Sequence, residues 1–376
     1  MSIWFEVFSS AEAVGRDLWN SLASNAGPMA EWEYFYALEQ SGSVSEERGY
    51  RPCHLAVMAN RVPVALAPLY ERDRAWVEFG DGGLLEFLTE ITGLPFHLGL
   101  VGSIPYTPVP GYEFLRRSDV DPMATDRMLL DYIDYMCSKR NLLTSRIYFA
   151  STNSPHLHAL LRRQGYMSLQ SQYFLWFNRG YGDFDDYLRS FRSNRRTKIK
   201  RELRTIREQG IDLSVVEGEA APAEYFDAIH QLYLRTWAKH MGMRVPPFLN
   251  RAFFELLGKH FRRRIFFSVA SQSGEKLGMA LFYHKAKHIF GRYWGCFEEV
   301  PFLHFATCYY HPIRYAIEKG VENMDPGFGG EHKLIRGYEV VPVYHYIKFH
   351  GERPRRMAMG IFQQMRDLSG GNVERA

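Results

Sequence analysis

The chain has 376 residues, of which 46% are hydrophobic and 15% aromatic, and its formal net charge is +4. This composition excludes an intrinsically disordered chain, and the length predicts two domains of ordinary size. The four cysteines lie far apart, without the close pairs of zinc ribbons or redox dithiols. We therefore expect a globular protein of a reducing, cytoplasmic compartment, since the sequence shows no signal peptide and no long apolar run.

Periodic hydrophobic patterns predict secondary structure along the whole chain. The first half is predicted to contain helices at 11–24, 126–139 and 156–164 and strands at 3–8, 53–58, 62–70, 145–149 and 166–177. The second half is predicted to contain helices at 193–208, 223–239, 247–261 and 304–319 and strands at 265–271, 276–284, 288–296, 321–325 and 338–349.

Alternating strands and helices predict an α/β fold in which mixed sheets are flanked by helices. The two halves also end alike, because Gly165-Tyr166 leads into one aromatic strand and Gly337-Tyr338 leads into another. This self-similarity at a domain-sized spacing indicates the duplication of one α/β unit. We therefore predict two domains, at residues 1–182 and 183–376.

Residues 80–111 are rich in glycine and proline. This segment is longer than loops that only connect two elements usually are. Loops of that length often carry function. Within it, Tyr106 and Thr107 are candidates for one wall of a substrate cleft between the two domains.

Basic charge is concentrated in residues 189–208, where nine of twenty residues are Lys or Arg and two are Glu, a formal charge of +7. Charge of this density either faces an anionic partner or covers a solvated helix face. Arg195 is predicted to lie on the apolar side near the helix N-terminus, where a bound anion or a neighbouring carboxylate would balance it. Arg195, Arg196 and Lys198 are therefore candidate substrate-binding residues.

Several blocks of the sequence carry a family resemblance. They are Ser193–Glu202, Tyr293–Gly295, His304-Phe305 with Cys308–Pro312, and Gly330–Lys333 with Arg336-Gly337. In combination they resemble the bacterial FemAB-like family, labelled peptidoglycan biosynthesis or recognition, within the GNAT acyltransferase superfamily. The resemblance covers roughly residues 5–362. It implies two tandem GNAT-like domains, in agreement with the duplication inferred from the pattern.

The resemblance also implies an activity, the transfer of an acyl or aminoacyl group to an amine. Acyl-CoA or aminoacyl-tRNA would be the donor substrate, a cell-envelope precursor the acceptor, and no cofactor would be tightly bound. The sequence contains neither the long helical arm of several Fem peptidyltransferases nor the glycine signature with which GNAT enzymes bind the acetyl-CoA pyrophosphate. The donor therefore stays open. No metal site is predicted, because His156-Leu-His158 has no third ligand at a recognisable spacing.

The segment Asp325–Lys333 groups the residue types that acyl transfer to an amine requires. Its three glycines allow close approach of the backbone, and in Fem-like proteins the corresponding loop borders the substrate cleft. Glu331 or His332 is the candidate proton acceptor, and Lys333 is the candidate contact for an anion or carbonyl oxygen. A surface turn with ordinary charges is the alternative.

Further candidate substrate-binding residues are aromatic or basic. Trp237, Tyr293 and Trp294 either line a surface for an acyl group or sugar or belong to the core. His304 either contacts substrate or packs at the start of its helix, and Arg336 belongs to the last block of the resemblance.

These features predict a cytosolic transferase that moves an acyl or aminoacyl group to an amine of an anionic or cell-envelope precursor. The basic helix would steer the anionic substrate. The alternative is a non-catalytic module that recognises a glycan or nucleic acid with the same cleft and helix.

Overall fold

The computed structural model describes residues 3–73, 79–242 and 245–368. The chain forms two compact units, unit 1 with Met1–Gln172 and Pro342–Ala376 and unit 2 with Tyr173–Val341. The sequence-based boundary at 182/183 instead assigns all later residues to the second domain. The return of the chain to unit 1 is invisible in the pattern, because it occurs inside a strand that reads as one continuous element.

The strands follow in chain order. They are β1 (Ile3–Phe8), β2 (Arg51–Pro52), β3 (His54–Ala59), β4 (Val62–Ala67), β5 (Tyr70–Arg72), β6 (Gly99–Gly102), β7 (Leu115–Arg116), β8 (Thr144–Ile147), β9 (Met167–Phe177), β10 (Ile211–Glu217), β11 (Ile265–Gln272), β12 (Glu275–Lys285), β13 (His288–Cys296), β14 (Asn323–Asp325) and β15 (Tyr338–Phe349).

The helices alternate with these strands. They are α1 (Ala11–Val14), α2 (Arg16–Leu22), α3 (Trp32–Gln40), α4 (Leu84–Thr92), α5 (Pro122–Lys139), α6 (Pro155–Arg163), α7 (Phe184–Arg189), α8 (Ser193–Glu208), α9 (Glu224–Met241), α10 (Arg251–His260), α11 (Leu303–Phe305), α12 (His311–Glu318) and α13 (Glu352–Leu368). Among the residues described here, none of the helices has both the length and the apolar character that crossing a bilayer requires.

Local pattern predicts several elements to the residue, namely β1, β13, β15 and α8. Two expectations are wrong. The helix predicted at 11–24 is split into α1 and α2 by Gly15, whose φ of 88° is incompatible with an α-helix. The segment 80–111, which was predicted to be a long loop, contains α4 and β6. Helix α4 was missed because the glycines at its two ends made the segment resemble a loop.

Unit 1 contains two groups of paired strands. The first is an antiparallel sheet in the order β1-β3-β4-β7. Its predicted hairpin turn is confirmed, because Asn60 and Arg61 both have positive φ, as a two-residue hairpin turn requires. In the second group, β2, β5, β6, β8 and the end of β15 pair in succession.

Unit 2 is built on a mixed sheet. Strands β10 to β13 are antiparallel neighbours, β14 lies parallel to β13, and the last residues of β9 pair with β14. Helix α8 packs on this unit through Ile199 and Ile206, which are buried, whereas its basic residues Lys200 and Arg204 are exposed. Helix α8 therefore has a buried apolar face and an exposed basic face.

Candidate functional site

A cavity of about 1140 Å³ opens in unit 2. Its wall is formed by β12 and β13, the end of α9, the start of α11 and the loop Pro326–Gly330, which we call the glycine loop. The side chains that matter most for chemistry are those of Arg292, Trp294, His304 and His332. The last three were candidates from the sequence.

A β-bulge in β13 places Arg292 in the cavity wall. Leu281 of β12 pairs with Tyr293, and the next residue, Phe282, pairs with Gly291, so Arg292 has no partner across the ladder. Such bulges re-aim one side chain and are common beside active sites. Trp294 follows, with its ring 5.2 Å from the ring of His304.

His304 lies on a distorted stretch of helix. Phe302, just before α11, has a φ of 68°, which is unusual and strained for a bulky residue. The chain then forms a π-helix at Ala306–Tyr310, and Pro312 cannot offer the N–H that the carbonyl of Cys308 would accept in an α-helix. Both distortions are typical of functional sites.

The imidazole of His304 is partly buried in the cavity wall. Burial, helped by the nearby His332 and Arg336, lowers the pKa of His304 to about 3. Neither ring nitrogen makes a hydrogen bond within the part of the chain that the structure describes. His304 is therefore a neutral imidazole that can accept a proton from a ligand.

His332 stands beside it, with the two ring centres 5.9 Å apart. Its Nε2 is 2.9 Å from the hydroxyl of Tyr309. Burial and the charges of Arg336 and Lys333 lower the pKa of His332, so it too is held neutral. The cavity thus has two neutral imidazoles, one of them oriented by a tyrosine.

The glycine loop is anchored at Gly327, through both the backbone N–H and the carbonyl group of that residue. Asp325 accepts the N–H of Gly327 at 2.7 Å and the hydroxyl of Tyr173 at 2.8 Å, while Lys333 donates from Nζ to the carbonyl of Gly327 at 2.6 Å. Burial raises the pKa of Asp325 to about 6, and burial lowers the pKa of Lys333 to about 8. Lys333 is only 1% exposed, so it supports the loop from beneath.

Arg336 is also enclosed by protein. It donates to Glu202 at 3.2 Å, to the hydroxyl of Tyr310 at 2.9 Å and to the carbonyl of His332 at 2.9 Å. Its guanidinium carbon lies 3.5 Å from the ring centre of Phe305. Arg336 therefore fixes the segment that carries His332.

Other sequence candidates lie outside the cavity wall or are buried within it. Glu331 is exposed and outside its wall, and Trp237 donates to the carbonyl of Val245 at 2.7 Å and packs on Phe248. Tyr293 lies in the wall but is 6% exposed and packs on the rings of Phe253 and Phe254.

The remaining candidates occupy other elements. Tyr106 and Thr107 are buried in unit 1, where Thr107 is 2.9 Å from the hydroxyl of Tyr34. Arg195, Arg196 and Lys198 lie on α8, and none of them lines the cavity. Among the described residues, no carboxylate forms an ion pair with Arg195.

Sequence reasoning missed Arg292, Asp325, Tyr309 and Glu202 as contributors to the site. The bulge that presents Arg292 depends on pairing with β12, which the pattern of β13 alone does not show. Asp325 could have been found, because it ends a predicted strand immediately before the glycine loop.

The fold is similar to those of two solved structures. One is FemX, with 10% sequence identity, a TM-score of 0.58, and coverage of 97% of this chain and 99% of FemX. The other is the C-terminal domain (DUF2156) of a putative lysylphosphatidylglycerol synthetase from Agrobacterium fabrum, with 11% identity, a TM-score of 0.56, and coverage of 96% and 99%. The predicted class, a mixed α/β fold with sheets flanked by helices, is confirmed.

Sequence comparison gives the family. None of the curated proteins matches the chain significantly. The profile of the FemAB-like family, described as peptidoglycan biosynthesis/recognition, matches residues 10–367. The chain therefore belongs to the FemAB-like family.

Proposed function

We propose that the cavity of unit 2 transfers an acyl or aminoacyl group from an activated donor to an amine of an anionic cell-envelope precursor in the cytoplasm. The donor would be an acyl-CoA or an aminoacyl-tRNA. The observation that carries this proposal is the neutral, unbonded imidazole of His304 in a wall that also bears arginine side chains.

The cationic wall favours the reactive form of the amine. Positive charge nearby lowers the pKa of an ammonium group, so a bound amine loses its proton more readily than it does in water. The neutral amine then attacks the donor carbonyl, a C–N bond forms, and the carbonyl oxygen takes negative charge. Collapse of this intermediate breaks the C–O or C–S bond, whose electron pair leaves with the donor oxygen or sulfur.

His304 accepts the proton that the attacking nitrogen releases and passes it to the leaving group. Burial and the nearby positive charges hold the pKa of His304 at about 3. A negatively charged oxygen that develops nearby raises the pKa of an imidazole, so the proton affinity of His304 increases when the reaction needs it. The pair formed by His332 and Tyr309 is the second candidate acceptor.

The glycine loop can stabilise the developing oxyanion. Gly329 and Gly330 line the cavity, and their backbone N–H groups donate to no acceptor among the described residues. Preorganised N–H groups aimed at such an oxygen contribute strongly to acyl transfer. In this arrangement Lys333 is a positioning residue that fixes the loop, in place of the direct carbonyl contact that the sequence suggested.

The positive charges on the exposed face of α8 are evidence for the proposal that the substrate is anionic. Lys198, Arg201 and Arg207 have no carboxylate partner within the described residues, and their charges attract anions over roughly a Debye length of about 8 Å at physiological salt. We expect this face to raise the association rate of the substrate.

The proposal is tested by a transfer assay on the full chain. UDP-linked muropeptide is incubated with acetyl-CoA, longer acyl-CoAs or aminoacyl-tRNA, and the acceptor mass is followed. We expect one donor class to add its acyl mass, and His304→Gln to lower kcat by about 10² to 10⁴, the usual contribution of a general base.

His288→Gln is the matched control, because His288 starts β13 and does not line the cavity. Unchanged turnover in His304→Gln would remove its assigned role. Absence of transfer with every donor, together with RNA binding that vanishes at moderate salt, would favour the binding-module alternative.

A further inference from the structure

The floor of the unit 2 cavity is apolar, and an exposed phenylalanine of the glycine loop borders it. Resting on the proposed function, we infer that the transferred acyl group carries an apolar chain or side chain larger than a methyl group, which binds between this floor and Phe328. The inference concerns that chain alone. A fatty acyl group satisfies it, and so does an aminoacyl group that has a free α-amine and an aliphatic or aromatic side chain.

One face of the sheet forms the floor of the cavity. Ala280 of β12 pairs with Trp294 of β13. Phe282, two residues further along β12, pairs with Gly291 and therefore lies on the same face of the sheet. All four residues line the cavity, and Ala280 and Phe282 also belong to the buried core of the unit. The floor is thus an extension of the hydrophobic core.

The charged side chains of the cavity wall are already engaged by the protein. Lys239 forms an ion pair with Glu299, and both side chains are exposed at the rim. The guanidinium carbon of Arg292 lies 5.9 Å from the ring centre of Tyr293, and its positive charge helps to lower the pKa of Asp325. These groups therefore do not define the chemistry of the floor, which its apolar residues determine.

Phe328 extends this apolar surface onto the glycine loop. It lines the cavity, and it is 60% exposed. Gly327, the preceding residue, is anchored and packs closely on the floor, because a Cβ atom added to it would lie 3.0 Å from the carbonyl oxygen of Gly291. A single exposed aromatic ring is common on protein surfaces, but this one continues an apolar cavity floor. A ligand chain on the floor would remove the ring from water and so stabilise the complex.

The apolar surface lies where the proposed reaction places the acyl group. Gly329, next to Phe328, carries one of the N–H groups proposed to bind the oxyanion, and the ring of His304 is 5.2 Å from that of Trp294. A carbonyl carbon that both catalytic groups reach has its own substituent close to Phe328 and Trp294. An acetyl or alanyl group is too small to cover the ring of Phe328, whereas a longer chain can cover it.

The first experiment measures binding to the full chain without turnover. Butanamide and hexanamide have the same carbonyl and amide groups, and their chains differ by two methylene groups. Their affinities are compared by isothermal titration calorimetry. Each buried methylene contributes about fourfold in affinity. We therefore expect the wild type to bind hexanamide at least about tenfold more tightly than butanamide.

Two variants show whether Phe328 contributes to this preference. Phe328→Ser should reduce the ratio of the two affinities, and its thermal midpoint should stay close to that of the wild type because the side chain is exposed. Phe87→Ser is the matched control, since Phe87 is an exposed phenylalanine of α4 in unit 1, and it should keep the wild-type ratio. Equal affinities for the two amides in the wild type, or an unchanged ratio in Phe328→Ser, would overturn the inference.

The second experiment uses matched donors in the transfer assay: acetyl-CoA against hexanoyl-CoA, and one tRNA charged with either alanine or leucine. In the donor class that reacts, we expect kcat/KM for the larger acyl group to be at least about tenfold higher, and Phe328→Ser to narrow this difference. Equal or better use of the smaller group overturns the inference and leaves the proposed function intact. Absence of transfer from every donor counts against the proposed function, and the ratio of the amide affinities then decides whether the floor and Phe328 bind an apolar chain.

Discussion

Arg336 donates to Glu202 at 3.2 Å inside unit 2, where the two side chains are 3% and 2% exposed. Glu202 belongs to the basic helix α8, and Arg336 also donates to the carbonyl of His332. The inward-facing acid of a strongly basic helix therefore fixes the segment that carries a candidate catalytic residue. The basic segment has two roles, since its exposed face meets solvent and its buried acid supports the site.

Arg336→Met is expected to lower the free energy of unfolding by about 3 to 5 kcal/mol, because it leaves the carboxylate of Glu202 buried without its cation. Chemical denaturation measures this change. The double variant Glu202→Leu/Arg336→Met should recover part of the loss, since it removes both charges. Arg201→Met, on the exposed face of the same helix, should change stability by less than about 0.5 kcal/mol. A double variant that is less stable than the single would contradict the pairing.

Asp325 predicts a pH dependence of stability. Its folded pKa of about 6 lies above the ordinary aspartate pKa of 3.8, so the folded state binds the proton more tightly than the unfolded state. The associated stability is fully present below about pH 4 and is lost as pH rises to about 6, by up to about 3 kcal/mol at 1.4 kcal/mol per pKa unit. Lys333 stays protonated in both states over this range.

The comparison is between the wild type and Asp325→Asn, unfolded by urea at pH 4, 5, 6 and 7. The Asn side chain cannot titrate, so the free energy of unfolding of the wild type should fall relative to that of the variant between pH 4 and 6. Above pH 6 the difference between the two free energies should stay constant. A difference that is constant over the whole range would show that Asp325 is already ionised at pH 4.

Lys333 predicts a pH dependence of activity. As pH rises through about 8 the ammonium group loses its proton, its hydrogen bond to the Gly327 carbonyl weakens, and the glycine loop is held less firmly. Activity should therefore fall above pH 8. Lys333→Met should lower kcat by about tenfold to a hundredfold, since an unsatisfied buried group costs about 1 to 3 kcal/mol.

The distinguishing readout is the pH profile. Lys333→Met should show no inflection near pH 8, whereas Lys139→Met, at an exposed lysine that ends α5 in unit 1, should keep both the rate and the inflection. Persistence of the inflection in Lys333→Met would assign it to another group, and the role of Lys333 would then have to be revised.

The periodicity of hydrophobic residues was sufficient to predict the bounds of elements that have one apolar face and one polar face. Helix α8 was predicted to the residue because Ile199 and Ile206 recur at helical spacing among charged residues, and β13 and β15 because they alternate. The partners of Arg336 were not predictable in the same way. Glu202 is 134 residues away in sequence, and an arginine in a polar segment is ordinarily exposed.

The geometry of the site depends on a β-bulge and a π-helix. Neither of them produces a repeating pattern of hydrophobic residues in the sequence. The bulge at Arg292 arises from the pairing of β12 with β13, and the π-helix after His304 ends just before Pro312. Sequence reasoning named His304, with packing as its alternative, and the glycine loop as candidates through residue type and resemblance. It could not place Lys333 beneath the loop, because only the fold shows that Asp325 and Gly327 are its neighbours.

Two aromatic candidates of the second half, Trp294 and Trp237, lie in different surroundings, and this difference leads to a prediction. Trp294 faces the cavity, whereas Trp237 donates to Val245 and packs on Phe248, outside the cavity wall. Trp294→Leu should raise KM for the substrate about threefold to tenfold, because an aromatic contact contributes about 0.5 to 1.5 kcal/mol. Its kcat should change little.

Trp237→Leu is the matched variant, with the same side chains exchanged at a packing position. It should leave KM unchanged and lower the thermal midpoint more than Trp294→Leu does, since it removes a hydrogen bond of 2.7 Å and the contact with Phe248. Steady-state kinetics and thermal denaturation of the two variants decide the matter. If Trp237→Leu raises KM and Trp294→Leu does not, the substrate binds outside the cavity that Trp294 lines.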